Sequence, residues 1–193
     1  MRSVLPVSIV VFLFATVALA AGEAPKAAAA KAPAVVPAPP APTPDAQVAA
    51  LEAQCAKSSE ARTKRHAEKP LFERLGGEEK IHALTREVVR LHRLNKNISH
   101  FLADGEDEAL AKHVAQFMIG ATGGPNVYKG PSLTESHAHL KLTNADFMSA
   151  GGDIIQAMKN LGYGENEVDE VVCALVGLRD QVVLPKNQVP QKP

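Results

Sequence analysis

The 193-residue chain contains no tryptophan, two tyrosines and six phenylalanines, so aromatic side chains make up only 4% of it. Aliphatic side chains must therefore build most of any core. Net charge is missing too, because 21 basic and 21 acidic side chains cancel. That removes the electrostatic ground for a nucleic-acid partner, whose binders carry a basic surplus on one face. An anionic membrane surface is equally unsupported. Cysteine is scarce: Cys55 and Cys173 stand too far apart for a CxxC metal site. A disulfide between them is open in an oxidising compartment, where it would tie an N-terminal extension to the last helix. Cys173 lies among apolar residues and reads more simply as a small buried hydrophobe. No HExxH zinc motif occurs, and Gly123-Gly124 follows a helix without the lysine and hydroxyl residue of a phosphate-cradling loop. No Ser-His-Asp order can be argued from spacing, so no catalytic set is assigned.

What is present has a clear order along the chain. Residues 1–20 place one arginine before an apolar run from Val4 to Ala18, and Ala18-Leu19-Ala20 fits the small-x-small rule for signal peptidase. The segment is expected to be a secretory signal peptide, with an uncleaved anchor as the alternative. Residues 21–44 are almost entirely alanine, proline and lysine, a composition that favours an extended, semi-rigid spacer. Residues 45–69 read as a polar helical extension with a thin apolar stripe, either packed on the domain or solvated. The folded domain is expected over 70–183, and 184–193 is a tail.

Within 70–183 the apolar spacing is helical. Ile81, Leu84, Val88 and Leu91 form one stripe; Leu110, Val114, Phe117, Met118 and Ala121 form a second. Phe147, Ile154, Met158 and Leu161 mark a third helix, with Asn144 as its cap, and Val168, Val171, Val172, Leu175 and Leu178 a fourth. A loop dense in turn formers, GGPNVYKGPSL, separates the second from a short helical piece over 133–140. The fold class is all-α. Two histidines stand out because they fall on apolar stripes: His113, between Leu110 and Phe117, and His137, between Leu133 and Leu140. A lone histidine on such a face is usually a satisfied core residue. Two on separate helices, in a domain poor in aromatics, point instead to imidazole near a flat apolar cofactor.

These residues resemble the group I truncated haemoglobins, the small two-over-two helical globins. Leu71-Phe-Glu-Arg-Leu-Gly-Gly77 is similar to the family's opening, Gly123-Gly-Pro-Asn-Val-Tyr-Lys-Gly130 to its second glycine motif, and Leu133-Thr-Glu-Ser-His-Ala-His-Leu140 to its proximal-histidine segment. The resemblance implies a two-over-two globin fold over about 71–183 and a non-covalent haem b, since the C-x-x-C-H attachment of a c-type haem is absent. It makes His137 the proximal iron ligand. It places Val89, Phe101, Leu102, Leu110, Val114, Phe117, Leu133 and Phe147 around the haem.

The departures from the family pattern are on the other side of the iron. Val89 stands where the family usually has tyrosine, and Leu110 and Val114 where glutamine is common. The phenylalanine that packs on the haem in most globins aligns with Leu102, beside Phe101. His113 is left as the polar candidate, a possible distal ligand. The expected function is therefore an exported, periplasmic haem protein binding O2, NO or CO. A bis-histidyl electron-transfer protein with a redox partner, or one with NO or peroxide chemistry, is the alternative, and a haem-free helical module the third. A membrane contact is expected only if the leader stays uncleaved.

Overall fold

The computed structural model describes residues 41–184. They belong to the unit Pro40–Pro193; the leader and most of the spacer fall in a separate unit, Met1–Pro39, outside the described residues, as does the tail from 185 on. No strand occurs among the described residues, and none of their helices is long and apolar enough to cross a membrane.

Two helices precede the expected domain. α1 is Pro44–Lys57, started by Thr43, whose hydroxyl accepts from the Ala46 N–H at 3.3 Å, with proline in the first turn. At Ser58 the chain breaks, and α2 is Ser59–Glu68. The extension is thus two helices, beginning at a proline that composition alone assigns to the spacer.

The remaining six helices are α3 (Leu71–Arg74), α4 (Gly77–Leu94), α5 (Asp107–Ala121), α6 (Leu133–His137), α7 (Asn144–Asn160) and α8 (Glu165–Val182), with short 3-10 turns at Ser99–Phe101 and Ala138–Leu140. α4 buries Ile81, Leu84 and Val88 as its spacing predicts, with Val89 beside them and Leu91 half-buried, and packs extensively along α5 and then α7. α7 pairs with α8, while α1 lies across both. Leu75, Ile81, Leu84, Ile119 and Met158 are fully buried at the centre. The cap of α7 is Thr143 and not Asn144: Thr143 and Asp146 bond reciprocally in a capping box, while Asn144 bonds Asp45 and Arg179. Leu161, counted on the third apolar stripe, sits past the end of α7 and is 45% exposed.

Both glycine pairs turn the chain where a side chain would not fit. Gly76 and Gly77 have φ of +89° and +74°, a region that costs L-residues, and they reverse the chain between α3 and α4. Gly123 is also left-handed at +94°. A Cβ on Gly124 would come within 2.6 Å of the Phe72 ring and 2.9 Å of the Ile119 carbonyl. The Phe72 N–H donates to Thr122 O at 2.9 Å, so the first motif is bonded to the residue just before the second.

Cys55 and Cys173 form a disulfide. This corrects the simpler expectation for Cys173. The sequence places it correctly in an apolar setting, but the apolar neighbour it meets is α1 bearing the second sulfur.

Candidate functional site

α6 has only five residues and owes its shape to its ends, because so short a helix is unstable alone. Ser132 caps it. The Ser132 hydroxyl accepts from the Glu135 N–H at 3.2 Å, and the Glu135 carboxylate accepts from the Ser132 N–H at 2.8 Å. The Ser132 hydroxyl, and then its backbone N–H, hold the Glu135 carboxyl below its usual range. Packing against α8 fixes the rest.

His137 is the last residue of α6 and is half-buried. Its Nδ1 lies 2.8 Å from the Leu133 carbonyl oxygen. A carbonyl can only accept, so Nδ1 carries the proton, and in the neutral ring Nε2 keeps its lone pair. Nε2 has no partner among the described residues and is not sealed from solvent. A metal-ligating imidazole needs this combination, one nitrogen oriented by a second bond and the other free. His139, two residues on, is exposed.

α5 has two apolar faces, one buried and one only partly covered, with Met118 at the edge packed on the core. Ala111, Ala115 and Ile119 are buried against α4, their small size allowing the close approach. The stripe legible in the sequence lies roughly a hundred degrees round the helix. On it Leu110 and Phe117 are half-buried, Val114 is 36% exposed, and the α5 surface makes no extensive packing with α6, α7 or α8. Ala121, assigned to the same stripe, is exposed. Phe117 meets Tyr128 edge to face at 5.6 Å, and the Tyr128 hydroxyl donates to Pro131 O at 2.9 Å. These contacts hold the loop before α6 against α5. His113 is exposed on α5, with no hydrogen-bond partner among the described residues.

The other expected wall residues fall on several elements. Val89 is buried in α4 at 3% exposure and, with Ala111, lines a cleft of about 230 Å³ beside Arg90, Arg93 and Leu94. Phe101 and Leu102 are half-buried at the 3-10 turn after α4. Arg93 secures that turn by donating to Leu102 O at 3.2 Å and by pairing with Asp107 at the start of α5. Leu133 is half-buried and bonded to His137; Phe147 is half-buried near the start of α7. A larger groove of about 520 Å³ is lined by Glu78, Glu79, His82, Arg86, Glu108 and Lys112. It is polar, contains no residue of α6, and is no place for an apolar cofactor.

Three supports of the site were not picked out from sequence. The Ser132–Glu135 box has a readable S-x-x-E signature. Tyr128 stood out only as part of the glycine motif, not as a partner of Phe117. The cluster in which Asp153 Oδ2 lies 2.8 Å from His92 Nδ1 and accepts from Asn95 Nδ2 at 2.9 Å joins residues far apart in the chain and gives no local signal.

The residues present fit a haem. Porphyrin supplies four ligands in its plane, so the protein needs one well-aimed imidazole and apolar surface left uncovered by its own packing. His137 Nε2 and the partly covered face of α5 are the residues here that would supply those two features. No group of three or more His, Cys, Asp or Glu among the described residues is disposed to hold a bare metal ion.

Comparison with known proteins agrees. The family described as "Bacterial-like globin" matches residues 70–183. The group 1 truncated haemoglobin of Tetrahymena thermophila is 28% identical over 100 residues, covering 52% of this chain and 83% of that protein. The one from Tetrahymena pyriformis is 27% identical over 113 residues, covering 58% and 93%. Among solved structures, the Fe(III) form of the Tetrahymena pyriformis truncated haemoglobin superposes with a TM-score of 0.57 at 24% identity, over 60% of this chain and 98% of that one. A Synechococcus 2/2 haemoglobin with covalently attached haem gives 0.56 at 22%, over 59% and 98%. The chain belongs to the bacterial-like globin family, its fold is that of the truncated two-over-two haemoglobins, and that membership implies a haem cofactor.

Proposed function

We propose that the protein binds haem b non-covalently through His137 and takes up a diatomic gas, O2, NO or CO, outside the cytoplasm. The observation that carries the reading is the His137 ring: Nδ1 committed to the Leu133 carbonyl, Nε2 unpartnered. Haem bound there would be held by His137, and its iron would supply the place where a small gas coordinates. The chain's own part is to orient the imidazole and fix its tautomer through the Leu133 bond, and to cover the opposite side with Leu110, Val114 and Phe117. Those apolar side chains, like Val89, offer no hydrogen bond to a polar Fe–O2 unit, so retention of O2 is expected to be weak compared with CO. The test is stepwise. Reconstituted ferrous protein should change its absorption stoichiometrically with CO, and acidic solvent should extract all the haem. A spectrum indifferent to CO excludes the gas-binding reading; haem that stays with the chain excludes non-covalent attachment.

Export is supported by the leader-like segment 1–20 together with the Cys55–Cys173 disulfide, a bond that persists in oxidising compartments. Mass spectrometry of the mature N-terminus from cell fractions tests it. A start near residue 21 in the periplasmic fraction is expected; an intact leader in the membrane fraction would mean an anchored form.

One observation favours a second reading. His113 stands on the uncovered surface of α5, exposed and unbonded among the described residues. A histidine ligating from that position would suit electron transfer or NO and peroxide redox chemistry more than gas carriage. Sharp split visible bands in the ferrous protein, collapsing to one broad band in His113→Ala, would establish it. A single broad band in the unaltered protein would rule it out.

A further inference from the structure

The segment 44–68 precedes the part matched by the globin family, yet it is built into the same structure. α1 lies across α7 and α8 but buries only Val48 and Cys55, and α2 buries nothing. Apolar burial therefore holds the extension weakly, and specific links to α8 do the rest. Cys55 is bonded to Cys173. Ser58 Oγ donates to Asp169 Oδ1 at 3.4 Å, and Arg65 Nε donates to Glu170 Oε1 at 2.6 Å. Glu170 is 6% exposed and takes a second guanidinium, Arg74 of α3, on its other oxygen. One buried carboxylate thus joins the extension to the globin's first helix, satisfied from both sides. The same helix, α8, is the one against which α6 packs, and α6 carries His137.

We propose that α1 and α2 are a brace on the proximal wall: through Cys55–Cys173 and Glu170 they fix α8, which seats α6, so opening the disulfide loosens the protein's hold on haem. The inference rests on the reading that haem binds at His137. Opening needs a dithiol. Its thiolate attacks one sulfur to give a mixed disulfide, its second thiol displaces the cysteine, and two electrons and two protons pass to the pair as the dithiol becomes a disulfide. The Asp169 carboxylate lies 3.8 Å from Cys173 Sγ and is itself paired with Arg65 at 3.5 Å, so the extension's ionic and covalent links meet at one place on α8.

The test uses the full chain in three forms: unaltered, treated with dithiothreitol, and carrying Cys55→Ser with Cys173→Ser. Amide hydrogen exchange is read by segment on haem-free protein, and haem loss to an excess of scavenger apoprotein on the reconstituted forms. The brace predicts faster exchange in α1 and also in 133–140, with haem loss roughly 2- to 30-fold faster, the range of coupling transmitted through packed elements. Exchange in α4 and α5 should hold. Faster exchange confined to α1, with 133–140 and haem loss unaltered, overturns it and makes the extension an appended arm. Should the double variant not fold, Arg65→Gln, which cuts Glu170 from the extension and spares Arg74, gives the same comparison. Should no form take up haem, the haem reading fails, while exchange over 133–140 still decides the brace.

Discussion

At the scale of single residues, the bond from His137 Nδ1 to the Leu133 carbonyl fixes both ring orientation and tautomer. Across the site the residue choices point the other way, toward few polar contacts. Leu110→Gln would place an amide donor on the open face of α5. It should slow O2 dissociation by about tenfold, the worth of one hydrogen bond near 1.4 kcal/mol, in stopped-flow exchange against CO. An unchanged rate would mean that Leu110 does not face the bound gas. A second prediction concerns acid. Hydrogen bonds from Arg90 and then Asn160 hold the Glu87 carboxyl at about 2, below its ordinary 4.5, joining α4 to α7. The folded value is the lower one, so this contribution is complete above about 4.5 and disappears as the pH falls toward about 2. Glu87→Gln should therefore be less stable than the unaltered protein at neutral pH and equal to it near pH 2, by chemical denaturation across that range.

At the scale of elements, the proximal helix is short enough that its cap matters. Ser132→Ala removes the acceptor for the Glu135 N–H and should cost about 1 kcal/mol of stability, read from the urea midpoint. Loss of haem should quicken in the same variant, because the fraying end is the one that begins the His137 turn. Element existence was legible where periodicity is long: α4 buries Ile81, Leu84 and Val88 as their spacing requires. It was only half legible in α5, where the conspicuous stripe of Leu110, Val114 and Phe117 is the partly covered face and the buried one is built from Ala111, Ala115 and Ile119. Alanines carry little hydropathic contrast, so a helix that approaches its neighbour through small residues hides its true core face. Caps failed for a related reason. Thr143 and Asn144 are both good N-caps by type, and only the reciprocal bond to Asp146 decides between them.

At the scale of the whole molecule, the glycine turns and the two helix pairs α4–α5 and α7–α8 were readable as a globin pattern, but the brace was not. Two cysteines left Cys55–Cys173 open as a tie to the last helix, but Arg65 to Glu170 joins positions more than a hundred residues apart and nothing local announces it. The disulfide closes a loop of 118 residues, so reducing it should lower the unfolding free energy by about 2–5 kcal/mol, visible as a lower urea midpoint in dithiothreitol. An unmoved midpoint would show that α1 folds onto α7 and α8 without it. The claim on which the site depends is nonetheless about one nitrogen, His137 Nε2. Its most direct test is the visible and Soret spectrum of the haem-reconstituted protein beside His137→Gly, with and without added imidazole. The account predicts a histidine-ligated spectrum in the unaltered protein, its loss in the variant, and its return when free imidazole fills the vacated place. A variant that keeps the unaltered spectrum without imidazole would contradict it.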